Sequence, residues 1–156
     1  MYKKILVPMD GSELAESVLP HVKAISGGCS VNEVVLIRII EPIVIPHSAM
    51  IKSIMRDSDL EQVEHDREKA ANEYLDRVIA GMDLGVSDVN KVVLKGQVAE
   101  TIGKYAEDNG VDLIVISTHG RSGITRWVMG SVAERVLRSS CVPVLMVRAP
   151  GCIPGM

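Results

Sequence analysis

Short runs of aliphatic, mostly β-branched residues, separated by longer stretches with helical spacing, restrict the folds open to this chain more than any other feature. The runs fall at residues 5–7, 34–40, 92–94, 113–116 and 142–147. Most of them do not alternate with polar residues, which suits strands covered on both faces. Leu14, Val18, Val22 and Ile25 mark a first helix between them, and Val63, Ala71, Tyr74, Leu75, Val78, Ile79 and Met82 a long second one. Val98, Ile102, Tyr105 and Ala106 mark a third, stopping at Asn109-Gly110, and Val132, Val136 and Leu137 the last. The order βαβαβαβαβ implies a parallel sheet between two layers of helices, a three-layer α/β/α fold. With 156 residues and no internal repeat, one domain over residues 1–148 is expected, followed by a fraying tail at 149–156. Residues 41–60, with Pro42, Pro46 and Asp57-Ser58-Asp59, are too irregular to join the second helix and read as a long loop or lid.

Composition narrows the function. The chain has no Phe, one Trp and three Tyr, so its core rests on aliphatic side chains and stacking of a ligand on aromatic rings is not expected. A net charge of −3 with scattered basic residues argues against nucleic-acid and membrane partners. Cys29, Cys141 and Cys152 are odd in number and far apart, which suits neither a disulfide framework nor a zinc cluster. The apolar run after Lys4 is shorter than a signal-peptide core, and nowhere do eighteen apolar residues follow one another. A soluble, cytoplasmic protein is the expectation.

In open parallel sheets, ligands bind beyond the carboxyl ends of the strands, where the winding direction reverses. Two loops therefore carry the chemistry: Pro8-Met9-Asp10-Gly11-Ser12 after the first strand and Ser117-Thr118-His119-Gly120 after the fourth. Asp10, three residues before Glu13, reads either as a helix cap or as an acceptor for ribose hydroxyls. Gly120 and Gly123 leave backbone amides accessible, and Gly130-Ser131 precede the last helix, together an anion site in outline. Ser131 with Glu134 reads equally as a capping box, and Gly120 as a plain turn. No Walker-type lysine is present. Charge-assisted hydrogen bonds contribute roughly 1.5–3 kcal/mol each, and micromolar affinity needs about −8 kcal/mol. Several amides, a hydroxyl, a helix N-terminus and an aliphatic slot reach that range without a lysine. Catalysis needs more, namely charge stabilisation on the transferring group; His119 or Asp10 as base and Arg121 or Arg126 as stabilisers are the candidates. Glu64-His65-Asp66 points in different directions on a helix and is a poor metal site. Ser26-Gly27-Gly28-Cys29 reads as a helix stop.

The start Lys4 to Ser12, the run Val111-Asp112-Leu113-Ile114-Val115-Ile116, Gly120 followed after nine residues by Gly130-Ser131, and the ending Val142-Pro143-Val144-Leu145-Met146-Val147 together resemble the universal stress protein family. The resemblance implies a Rossmann-like parallel sheet of order 3-2-1-4-5, of the adenine nucleotide alpha hydrolase kind. That family has an ATP-binding branch, marked by Gly-x-x-Gly, nine residues, then Gly-Ser or Gly-Thr, and a branch that binds none. Here Ser117 stands where the first glycine would, while Gly120, Gly130 and Ser131 match.

By the same resemblance Asp10 meets the ribose, the backbone of Ile39 meets adenine, and Pro8, Met9 and Ile116 wall the base. Gly120, Gly130, Ser131 and Val132 donate to the phosphates, flanked by Ser117, His119 and Arg121, with a divalent ion, Mg2+, bridging. Homodimerisation through the last strand is also implied. The expectation is an ATP-binding sensor or adaptor of stress, or one for another adenine nucleotide. The alternatives are a nucleotide-free interaction module and a slow ATPase or phosphotransferase.

Overall fold

The computed structural model describes residues 2–43, 57–85, 88–118 and 130–148. In chain order the elements are β1 (Lys4–Pro8), α1 (Glu13–Glu16), α2 (Leu19–Gly28), β2 (Glu33–Ile40), α3 (Asp57–Ala80), β3 (Asp88–Lys95), α4 (Val98–Asp108), β4 (Leu113–Ser117), α5 (Ser131–Ser139) and β5 (Val144–Val147). The strands form one parallel sheet of order β3-β2-β1-β4-β5, as the resemblance implies.

Successive residues of a strand point to opposite faces, and both faces of this sheet are apolar. Ile5, Val7, Val34, Leu36, Leu113 and Val115 face one way and pack with Ala15, Val18 and Val22 of the first helical stretch and with Tyr74, Leu75 and Val78 of α3. Leu6, Val35, Ile37, Ile114 and Ile116 face the other way and pack with Ala99, Ile102 and Ala106 of α4 and with Ala133 and Val136 of α5. Ile5, Leu6, Leu36, Ile114 and Leu75 are completely buried; each such side chain contributes about 1.5–3 kcal/mol of transfer free energy. This double coverage is why the strands read as unbroken apolar runs.

The departures from the periodicity have local causes. The first helix is two helices, because Pro20 at the start of α2 has no amide to donate to the turn before it. Ser17 closes α1 instead, with its amide on the Glu13 carbonyl at 3.0 Å and its hydroxyl on Leu14 at 2.7 Å. β3 is longer than the run 92–94, since it is an edge strand whose early residues alternate between exposed and half-buried. β5 is shorter than 142–147, because Ser140 accepts from the Val142 amide in a turn and Pro143 delivers only its carbonyl to Ile114. α3 begins at Asp57, so residues 57–60, read as loop, are helical; residues 44–56 of the expected lid and the tail 149–156 lie outside the described residues. α4 ends as its Asn-Gly predicts: Gly110 takes a left-handed φ of 62°, and the Val111 amide reaches back to Ala106 at 3.0 Å, a Schellman closure. Ser26-Gly27-Gly28-Cys29 does end a helix, α2, with Cys29 bonded to Ile25. Among the described residues no helix is long and apolar enough to cross a membrane.

At the amino end of the sheet, Asp112 holds the chain start in place. Its Oδ2 accepts from the amides of Lys3 and Lys4 at 2.9 Å each, and these bonds hold its carboxyl below the usual carboxylate range. A depressed folded pKa means the stabilisation is present above the unfolded value, near 3.9, and is lost as the pH falls through the folded one. Asp112→Asn should therefore lower urea stability at neutral pH. The loss should be small, because the carboxylate is exposed. The two chains should converge as the pH is taken toward about 2; an undiminished difference there would contradict the assignment.

Candidate functional site

The sheet reverses its winding at β1, which pairs with β2 on one edge and with β4 on the other. A cavity lies at the carboxyl ends of β1 and β4, where the general rule for such sheets anticipates a ligand. Its volume is about 610 Å3, within the range of small-molecule sites. Pro8, Met9, Asp10, Ile39, Ile116, Ser117, Gly130, Ser131 and Val132 all line it. His119, Gly120 and Arg121, with Gly123 and Arg126, lie outside the described residues.

Each wall has its own origin. The floor is aliphatic because it is the top of the sheet: Pro8, Met9, Ile37, Ile39 and Ile116 come from adjacent strand ends. The Met9 amide bonds the Ile37 carbonyl at 2.8 Å, extending the β1–β2 ladder one residue past Pro8. Val98 and Ile102 of α4 and Ala70 and Ala71 of α3 complete the apolar lining.

The Asp10 corner is a tight turn. Gly11 has φ +85°, a conformation that a side chain resists. Asp10 Oδ1 accepts from the Ser12 amide at 2.9 Å and from its hydroxyl at 2.5 Å. Ser12 in turn is the N-cap of α1, its Oγ accepting from the Ala15 amide at 3.1 Å. Asp10 is therefore not the cap that its spacing from Glu13 suggests; the cap lies two residues later and binds Asp10. Both bonds fall on Oδ1.

The opposite end is the start of α5. Gly130 is its N-cap and brings no side chain, and Ser131 opens the helix proper. The capping box of Ser131 with Glu134 does not form: the Glu134 carboxylate instead accepts from Arg138 at 3.1 Å, and its amide bonds Gly130. The amides of Ser131, Val132 and Ala133 belong to the first turn and have no carbonyl within the helix to bond. A helix start of this kind attracts anions. Thr118 fixes it against the sheet, accepting from the Gly130 amide at 2.5 Å and donating its own amide to Val147 at 2.9 Å. Ser117 is the last residue of β4, buried and in register with Val147; its position is that of a strand residue, where a glycine's extra freedom is not required. Among the described residues no cluster of three or more His, Cys, Asp or Glu could hold a metal ion.

Periodicity missed two basic lining residues. Arg38 interrupts the apolar run of β2, and that interruption was the available signal. Arg67 lies on α3 at the cavity rim and donates from Nη1 to the Glu41 carbonyl at 3.0 Å; nothing local in the sequence marks it.

Ser12→Ala removes the cap of α1 and the partner of Asp10 at once. Loss of such a cap costs about 1 kcal/mol, so denaturant unfolding should show a decrease of that order, and an unchanged midpoint would contradict the capping role.

The model of the universal stress protein family matches residues 1–148. The chain is 32% identical over 156 residues to universal stress protein MJ0577 of Methanocaldococcus jannaschii, covering 95% of this chain and 96% of that one. The solved structure of MJ0577 superposes with a TM-score of 0.80 at 34% identity, covering 97% of this chain and 99% of the other. Two more distant structures share the fold. One is a universal stress protein in complex with cAMP, with TM-score 0.59, 22% identity and coverage of 94% and 97%. The other is an Arabidopsis thaliana family protein with AMP bound, with TM-score 0.57, 11% identity and coverage of 96% and 93%.

Proposed function

The chain belongs to the universal stress protein family, and from that premise we propose that it holds ATP, or another adenine nucleotide, in the crevice between β1 and β4 as a sensor or adaptor in the response to stress. The observation that carries this reading is the make-up of the cavity, which brings together an aliphatic floor, the Asp10 carboxylate and the open first turn of α5. Those three surfaces match a base, a ribose and a phosphate chain in that order. The adenine nucleotides bound by two proteins of the same fold agree with the ligand class.

In the proposed complex the base lies on Pro8, Met9 and Ile116 and meets the backbone at Ile39. Asp10 Oδ2 accepts from the ribose hydroxyls. Gly130, Ser131 and Val132 receive the phosphates, joined by Gly120, His119 and Arg121 from the loop between them. Magnesium enters with the phosphates, since such an ion is commonly held by substrate oxygens and water with few protein ligands. The amides and hydroxyl at the start of α5 bind a phosphate well and transfer no proton at neutral pH, and with His119 serving to hold the phosphates, holding with at most slow hydrolysis is the expected behaviour.

Mass action then predicts the thermal response. At a hundredfold excess over Kd, ATP with magnesium should add about 2.7 kcal/mol, a rise of roughly 5–10 °C for a chain of this size. No shift at millimolar ATP would sink the proposal. Ser131→Ala should weaken ATP by roughly tenfold, the loss of one bond to a charged group, and leave adenosine binding unchanged; equal losses for both would remove Ser131 from the phosphate end.

We also propose a homodimer through the edge of β5. The other edge, β3, is guarded by Lys91 and Lys95, paired with Asp76 and Glu64 of α3 at 2.5 and 2.9 Å. β5 has no such guard, and Leu145 is 37% exposed on it. An apolar open edge invites pairing. Leu145→Lys should convert a dimer to a monomer in light scattering, whereas a wild-type monomer or a dimer that survives the substitution would exclude this edge.

A further inference from the structure

Arg38 follows Leu36 by two residues on β2, so its side chain leaves the sheet on the face covered by α3. Tyr74 and Gly11 both lie close to its guanidinium. On one side the Cζ lies 5.2 Å from the centroid of the Tyr74 ring, within the range of a cation–π contact. On the other side is Gly11: a Cβ there would stand 2.6 Å from Nη1 and 3.3 Å from Nη2. The guanidinium thus lies over the α3 aromatic ring and close to the turn that carries Asp10.

The surrounding charges fit that placement. Burial pushes the Tyr74 phenol above its usual range, and the Glu16 carboxylate, near but short of hydrogen-bond geometry, acts in the same sense. Asp10 also raises it, and Arg38 opposes both. Asp10, Glu16, Arg38 and Tyr74 therefore form one cluster beneath the site, with Arg38 its cation.

We propose that Arg38 is a positioning residue for ribose recognition: stacked on Tyr74, it presses on Gly11 and fixes the turn that aims Asp10 Oδ2 into the cavity. This rests on the nucleotide-holding reading above. Gly11 has no side chain of its own to set the angle of the turn, and the Ser12 bonds act from within the loop. An arginine suits the task because its planar group stacks and stays charged, whereas a lysine keeps only the charge. The effect expected is on discrimination between ligands with and without ribose hydroxyls.

The test compares ATP with 2′,3′-dideoxy-ATP by calorimetry, both with magnesium, on the wild type, Arg38→Met, Arg38→Lys and Tyr74→Leu. The wild type should prefer ATP by about tenfold or more, the equivalent of one good hydrogen bond to a charged group. Arg38→Met should bring the ratio close to one, chiefly by weakening ATP. Arg38→Lys should recover part of the ratio, and Tyr74→Leu should lower it with the arginine still present. Partial unfolding weakens both ligands by the same factor, so the ratio is insensitive to it. A wild type that prefers ATP and an Arg38→Met chain that keeps the same preference would overturn the positioning role alone. A wild type that binds neither nucleotide overturns it together with the reading on which it rests, and one that binds both equally overturns the assignment of Asp10 to the ribose.

Discussion

β1 is the strand on which the remainder of the sheet is registered, and its backbone explains most of the architecture. Its middle residues are buried on both faces, so every amide and carbonyl there must be satisfied by a neighbouring strand. β2 supplies one edge from Glu33 to Ile37, and β4 the other at Leu113 and Ile114. Both neighbours run parallel to β1, so each must be reached by a crossover that lays helices over a face. One crossover covers one face and the next the other, and the winding reverses at β1 as a result. The crevice above Pro8 and Ser117 is what that reversal leaves open.

Burial on both faces also decides where polar chemistry can sit. No strand interior can accommodate an unpaired charge at tolerable cost, so the polar groups that the strands bring to the site sit at or just past their ends, while Arg67 reaches it from the middle of α3. Asp10 stands one residue past Met9, Ser117 at the last position of β4, and Ser131 at the first of α5. Arg38 is the informative exception. It lies within β2, near its carboxyl end, and is accommodated because a ring and a carboxylate-bearing turn surround it. The guanidinium spreads its charge over a plane and is weakly hydrated, which lowers the cost of this half-buried setting.

How much of this could be read beforehand follows from the same physics. All the strand runs were visible, because double burial removes the polar residues that would otherwise interrupt them. The run 92–94 undersold β3 because an edge strand needs only alternate residues apolar, and Asp88 and Asn90 look like loop. The order of the strands is not encoded in periodicity at all; it came from the family resemblance. Spacing placed the caps of α1 and α5 wrongly for a common reason. Asp10 and Ser131 each have an acidic residue three positions later, but caps are chosen by backbone geometry, and Ser12 and Gly130 hold the extended conformation that a cap needs. The site's strand-end residues were legible from the rule about carboxyl ends, whereas Arg67 was not, because its role depends on where α3 crosses the end of β2.

Thr118 ties the proposed ligand end to the proposed partner edge. Its carbonyl takes the Gly130 amide at the start of α5, and its amide goes to Val147 at the end of β5. A phosphate on the first turn of α5 and a second chain on β5 would thus act on the two backbone groups of a single residue. Such adjacency becomes coupling only where the shared element has two arrangements that the ligand and the partner favour differently. Rigid β4, buried throughout, offers none. If the two events communicate, the change among the described residues lies in α5 or β5, which rest on the sheet from one side and at its edge, and not in the central strands.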